Sequence, residues 1–189
     1  MSCLLKRVYR KLKRKFSGVA QESQIERLQQ KGLVIGKNNI IHSPDCFDIV
    51  YPWLIEIGDN NMFSTEVKVL AHDSSTNRID GITKVGRVSI GNNCYFGCRS
   101  LILCNTHIGD NVIIGAGSVV CKDCRSNSVY AGNPAKYICS IDEFVEKHNS
   151  LIANSPVFDQ PWRYWRDQAT KEERNDMKNK LEHTAGYVK

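Results

Sequence analysis

The sequence predicts an all-β chain, wound as a three-sided coil of short parallel strands and finished by short helices at its ends. Three observations predict this: a six-residue rhythm, glycine in step with that rhythm, and one long interruption.

From Ile90 the chain divides into sixes that read IGNNCY, FGCRSL, ILCNTH, IGDNVI, IGAGSV and VCKDCR. The first place holds Ile90, Phe96, Ile102, Ile108, Ile114 and Val120, and the fifth holds Cys94, Ser100, Thr106, Val112, Ser118 and Cys124. One column is bulky and apolar, the other mostly small. Glycine follows the bulky residue at Gly91, Gly97, Gly109 and Gly115. At an average glycine frequency of about 7%, chance gives four of six roughly a few times in ten thousand. Weaker copies run earlier, through Ile57-Gly58, Phe63 and Val69, and through Ile35-Gly36, Ile41 and Phe47.

A period of six fits neither a helix, near 3.6, nor a plain strand, near 2. It fits short flat strands joined by tight bends, three to a coil, with coils stacking about 4.8 Å apart so that backbone groups pair from one coil to the next. The bulky column then fills the interior, and the small column fits the bends. Residues 33–139 are expected to form this domain, residues 1–32 a basic amphipathic N-terminal helical segment, and residues 140–189 a C-terminal helical extension.

Between Val69 and Ile90 the rhythm lapses, and residues 74–89 are expected to leave the coil as a loop. Loops longer than about twelve residues in a compact domain are usually functional. Ala71-His72-Asp73 stands just before it. After the last regular coil come Gly115-Ala-Gly-Ser-Val-Val120 and then Ala131-Gly-Asn-Pro-Ala-Lys136, whose Gly132, Asn133 and Pro134 predict a chain reversal.

These motifs resemble the hexapeptide-repeat acetyltransferases, in particular the galactoside, maltose and surface-polysaccharide O-acetyltransferases. The repeats cover about half of the chain. The resemblance implies a left-handed parallel β-helix; spacing alone does not choose that hand, since most crossovers are right-handed. It implies acetyl transfer from acetyl-CoA to a sugar hydroxyl in a homotrimer whose sites lie between subunits. His72, at the coil edge before the loop, matches the family's general base. Imidazole is largely neutral and basic at cytosolic pH, and a positioned base contributes about a hundred- to ten-thousand-fold. Backbone groups at Cys98, Ala116 and Gly117 would meet the pantetheine arm, with the Cys98 amide donating to the thioester oxygen. Lys122 and Lys136 would meet the coenzyme A phosphates. Asp73 and Arg78 are candidates for acceptor contact. Asp73 adjoins His72 in the chain, and neighbouring strand residues point to opposite faces, so Asp73 is not expected to orient the ring.

Two departures bear on the acceptor: Tyr95 stands where the family has Trp in a Val-Trp-Ile-Gly hexad, and Cys104-Asn-Thr-His107 replaces a Pro-Gly-Val-Thr. An amino-sugar nitrogen or a serine hydroxyl remains an alternative acceptor, and a non-catalytic β-helix an alternative function. His107 is expected to point outward from a bend.

Eight cysteines at irregular spacing, with no export signal, read as reduced thiols. Cys121-Lys-Asp-Cys124 has no second pair to complete a zinc set, and no metal is expected. The absence of a long apolar run or a signal-like start leads us to expect a cytoplasmic protein. Residues 1–16 carry seven Lys and Arg and no acid, with Leu4, Val8, Leu12 and Phe16 in a stripe, which would suit a peripheral contact at the inner face of the membrane. No nucleic-acid reader is visible. Ser140-Ile-Asp-Glu143 and Thr170-Lys-Glu-Glu173 have the form of helix capping boxes. The aromatic run Pro161-Trp-Arg-Tyr-Trp165 is expected to pack against the coil.

Overall fold

The computed structural model describes residues 24–158 and 169–188. The basic segment 1–16 and the aromatic run 161–165 lie outside these residues. The described chain divides into two units, Met1–Ile141 and Asp142–Lys189.

In the first unit the sixfold rhythm becomes three parallel sheets of very short strands. The first sheet stacks Val34–Ile35, Ile55–Ile57, Val88–Ile90 and Thr106–Ile108; the second stacks Ile40–Ile41, Met62–Phe63, Tyr95–Phe96, Val112–Ile114 and Ser128–Ala131; the third stacks Lys68–Val69, Leu101–Ile102 and Val119–Val120. The chain visits them in rotation, first, second, third, and begins again. Isolated parallel bridges Phe47↔Val69 and Ile108↔Cys124 complete the third and first sheets where no strand is long enough to name. Registers join equivalent hexad places: Ile57 opposes Ile90, Phe63 opposes Phe96, and Val69 opposes Ile102.

Both periodic columns face inward. Ile57, Phe63, Val69, Ile90, Phe96, Ile102, Ile108, Ile114 and Val120 are all buried, as are Cys94, Ser100, Thr106, Val112, Ser118 and Cys124. The fifth place of one hexad and the first of the next lie two residues apart, so alternation in an extended strand turns both in and the residue between them out. His107 is such a residue, exposed as expected. Down the middle of the second sheet, Phe63 and Phe96 stack with ring centroids 4.6 Å apart, and Phe47 meets Phe63 edge-on at 5.3 Å.

The bends have their own columns. Between the first and second sheets, Asn38, Asn60, Asn93, Asn111 and Asn127 all take left-handed backbone angles, φ 56–59°. Asparagine tolerates that region better than other non-glycine residues. Side-chain amides run from coil to coil, Asn38 to Asn60 at 3.2 Å and Asn111 to Asn127 at 2.9 Å. The glycine of the rhythm is required by the approach of the next coil: a Cβ at Gly91 would lie 2.8 Å from the carbonyl carbon of Gly109.

The excursion is a hairpin. His72–Asp73 pairs antiparallel with Lys84–Val85, and Ser74–Arg78 forms a turn of 3-10 helix between them. The chain is back in the first sheet at Val88–Ile90, so the loop ends earlier than the expected 74–89. The cause is register: the Gly86 amide already donates to the Ala71 carbonyl at 2.9 Å, closing the loop. At the far end, Ser128–Ala131 turns back through Gly132 and a cis Asn133–Pro134 bond into antiparallel Lys136–Ser140, the predicted reversal.

The second unit holds helix α1 (Ile141–Ala153, its first residue at the boundary), helix α2 (Lys171–Lys180) and a two-strand parallel ladder, Val157–Phe158 with Tyr187–Val188. The capping box expected at Thr170 is present, with the Thr170 hydroxyl accepting from the Glu173 amide and the Glu173 carboxylate from the Thr170 amide. Helix α1 begins directly after Ser140. No helix among the described residues is long and apolar enough to cross a membrane.

Candidate active site

His72 stands where the chain leaves the third sheet, at the corner leading to the first. Its side chain is 24% exposed, and its Nδ1 is bonded to the Asp48 carboxylate. Asp48 lies one coil earlier, directly after Phe47, which bridges to Val69. The Asp48 side chain is 1% exposed. An ionised carboxylate survives such burial only with partners, and Asp48 has four. Oδ1 accepts from the amides of Val50 at 2.8 Å and Tyr51 at 3.2 Å, and Oδ2 from the amide of Ala71 at 2.9 Å and from His72. Burial pushes its carboxyl up, but the bonds from His72 and the three amides outweigh that, and the net displacement is below the usual carboxylate range. Asp48 is therefore an acceptor at neutral pH and holds a proton on Nδ1, the tautomer that leaves the lone pair of a neutral imidazole on Nε2.

Asp48 was not among the residues singled out in the sequence. The weak early repeat through Phe47 carried the signal, because it sets the next residue under the corner that His72 occupies. Asp73 faces away from this pair: its Oδ1 accepts from the Ser75 amide at 2.9 Å and caps the 3-10 turn. Arg78 ends that turn and is exposed.

Cys98, Ala116 and Gly117 gather at a different corner, between the second and third sheets, where the Gly117 amide donates to the Cys98 carbonyl at 2.8 Å. Ala116 and Gly117 are exposed, and a Cβ at Gly117 would meet nothing within 4 Å. The result is a shelf that presents bare backbone at Gly117, suited to close approach by a slender ligand. Lys136 follows on the reversal, opposite Ala131, and is exposed. Lys122 is exposed on the corner that His72 occupies, beyond Val119–Val120 in the third sheet. A single chain thus sets the imidazole and the shelf on separate edges.

A groove of about 400 Å³ on the outer face of the first sheet is lined by Glu56, Arg87, Ser89, Asn105, His107 and Asp123, among others, and holds none of the predicted site residues. Its groups satisfy one another: Arg87 pairs with Glu56 at 2.7 Å, Ser89 Oγ meets His107 Nδ1 at 2.7 Å, and Asp123 accepts from the His107 amide at 2.8 Å. Cys121 is exposed, whereas Cys124 is buried with its thiol pushed up to about 12. The C-x-x-C thus does not present two thiolates to one ion. Among the described residues no group of three or more His, Cys, Asp or Glu side chains is placed to hold a metal.

Residues 87–122 match the bacterial transferase hexapeptide repeat model. The chain carries that repeat. Similar proteins include the galactoside O-acetyltransferase of Escherichia coli (strain K12), 37% identical over 98 residues, which are 50% of this chain and 48% of the relative. A Bacillus subtilis (strain 168) protein named a candidate acetyltransferase is 30% identical over 100 residues, 53% of this chain and 56% of the relative. This chain therefore spans about half the length of these relatives. Among solved structures, a maltose O-acetyltransferase from Clostridium difficile 630 is 37% identical with a TM-score of 0.53, covering 58% of this chain and 59% of that one. The hexapeptide-repeat acetyltransferase VCA0836 from Vibrio cholerae shares the fold, with a TM-score of 0.52 at 18% identity over 68% of this chain and 90% of that one.

Proposed function

We propose that the hexapeptide-repeat unit is a left-handed β-helix that transfers acetyl from acetyl-CoA to a sugar hydroxyl, with His72 as general base. The observation that carries this is the Asp48–His72 pair, a buried carboxylate fixing the tautomer of a half-buried imidazole at the mouth of the excursion hairpin. Related sequences named for galactoside and maltose O-acetyl transfer support the class of acceptor.

In this reading Nε2 of His72 removes the acceptor hydroxyl proton as that oxygen bonds to the thioester carbonyl carbon. Charge gathers on the carbonyl oxygen, where the Cys98 amide donates to it. As the carbon–sulfur bond breaks, the imidazolium returns the proton to the departing sulfur. Acetyl ester and free coenzyme A leave, and His72 is neutral again. Asp48 holds the ring and stabilises its charged form without taking the proton itself.

The shelf at Ala116 and Gly117 fits the pantetheine arm, since the Gly117 backbone carries no side chain to block a thin chain. Lys122 and Lys136 serve the phosphates, and Arg78, in the turn of the hairpin, serves the acceptor. Because base and shelf lie on different corners of one chain, a homotrimer is the assembly that unites them, the shelf of one protomer facing the imidazole of its partner. The test is a His72→Ala variant assayed for release of coenzyme A thiol against a panel of sugars, amino sugars and serine. The expected outcome is a loss of several orders in turnover, with acetyl-CoA binding nearly intact. Full activity in the variant rejects the mechanism, and turnover confined to serine or an amine reassigns the acceptor.

A further inference from the structure

Between the third-sheet bridge at Phe47 and the first-sheet strand Ile55–Ile57, the chain takes seven residues, Asp48 to Leu54, to turn a corner. The later corner from Val120 to Cys124 needs only three between them. The four added residues fall within Ile49-Val-Tyr-Pro-Trp53, and this stretch is held in several ways. Asp48 takes the Val50 and Tyr51 amides, Pro52 is buried at the start of a 3-10 turn, and the Tyr51 ring packs on the core. A Cβ on Gly32 would lie 2.8 Å from the Trp53 Cβ, so the base of the indole is seated against the backbone there.

This corner exposes an aromatic surface next to the imidazole. The Tyr51 ring lies 5.3 Å from the His72 ring, and the Trp53 ring 5.5 Å from Tyr51. Trp53 is 54% exposed, with Ile49 at 59% and Val50 at 50% beside it. An indole this exposed among the described residues has an apolar face to offer a flat ligand that has one of its own. The C–H face of a pyranose is such a surface. Trp53 is the second ring out from His72, with Tyr51 between them, so the sugar whose hydroxyl meets Nε2 would have its neighbouring ring on the Trp53 side.

We infer that Trp53 is the platform for a second ring of the acceptor, so that the enzyme selects a disaccharide or glycoside over the free monosaccharide. This rests on the proposed function, because it takes His72 as the reacting centre. Tyr51 acts as a positioning residue that keeps both rings in place.

The experiment compares KM for maltose with glucose, and for lactose with galactose, by thiol release at saturating acetyl-CoA. The wild type should favour the disaccharide of at least one pair. Trp53→Ala should raise KM for that disaccharide about five- to tenfold, the effect of one lost stacking contact, while leaving its monosaccharide KM and the acetyl-CoA KM in place. Trp53→Phe should restore most of the preference. A disaccharide-to-monosaccharide ratio unchanged in Trp53→Ala, with His72→Ala inactive, overturns this inference alone. Turnover by His72→Ala equal to wild type, or no thiol release with any of the four sugars, overturns the proposed function and this inference with it.

Discussion

The Asp48 carboxylate and the His72 imidazole come from successive coils, 24 residues apart in sequence, and are bonded through Oδ2 and Nδ1. The pairing follows from stacking. Phe47 bridges to Val69, so whatever follows Phe47 lies beneath the corner that follows Val69. The same stacking supplies the backbone amide of Ala71 to that carboxylate.

Asp48→Asn tests that relationship through both rate and stability. The amide keeps the shape but has no charge to fix the Nδ1–H tautomer or to stabilise the imidazolium, and kcat should fall about a hundredfold with acetyl-CoA KM unchanged. The Asp48 pKa is depressed in the fold, so its contribution to stability is present above the ordinary carboxylate pKa and is lost as pH falls through the depressed one. Wild type should exceed the variant by about 1–3 kcal/mol at pH 7. Thermal melts at falling pH should show that gap closing only below about pH 4.

Phe96→Ala should cost about 3–5 kcal/mol, as full truncation of a buried aromatic does. Phe63 and Phe96 are both completely buried and stack within 2° of parallel, so the cavity would open between two coils and not at a rim. Tyr95, the neighbouring residue, points outward at 41% exposure, and Tyr95→Ala should stay within about 0.5–1 kcal/mol. Urea unfolding of the two variants side by side measures the contrast.

Gly91→Ala should destabilise the coil by about 2 kcal/mol or more, although alanine is the smallest replacement. The added methyl would lie 2.8 Å from the Gly109 carbonyl carbon, which is backbone and cannot rotate aside. Gly115 marks the milder end of the same column, since the nearest neighbour of its Cβ would be the Ala131 methyl at 2.9 Å, with the next atom at 3.5 Å. Denaturation midpoints should fall further for Gly91→Ala than for Gly115→Ala.

These variants also show why part of the molecule could be read from sequence. The column from Ile90 to Val120 states its burial residue by residue, because every coil asks the same of the same place. The Thr170 box was equally legible, being confined to four residues. Asp48 was not, because a residue's partner in a coil depends on coil length, and the early coils depart from eighteen residues: Ile35 opposes Ile57 at a spacing of 22. A hairpin also has needs of its own, and Asp73 answers one of them by capping Ser74–Arg78. The end of the excursion is hidden in the sequence for a related reason: the Gly86–Ala71 bond lies between backbone groups, which composition does not announce.

Lys122 and Lys136 give the last prediction, and it separates the two halves of the donor. Both are exposed, on different edges of the coil. Exposed cations gain little from single carboxylates but more from phosphates, whose several oxygens accept charge-assisted bonds. Lys122→Ala and Lys136→Ala should each raise the acetyl-CoA KM about three- to tenfold and leave kcat unchanged. The increase should shrink in about 0.5 M salt, where screening shortens the reach of such pairs below about 5 Å. Acetyl-pantetheine has the same thioester and arm without the nucleotide phosphates, so its KM should be the same for wild type and both variants. A variant that loses acetyl-pantetheine turnover as well would show that its lysine supports the shelf or the fold and does not meet phosphate.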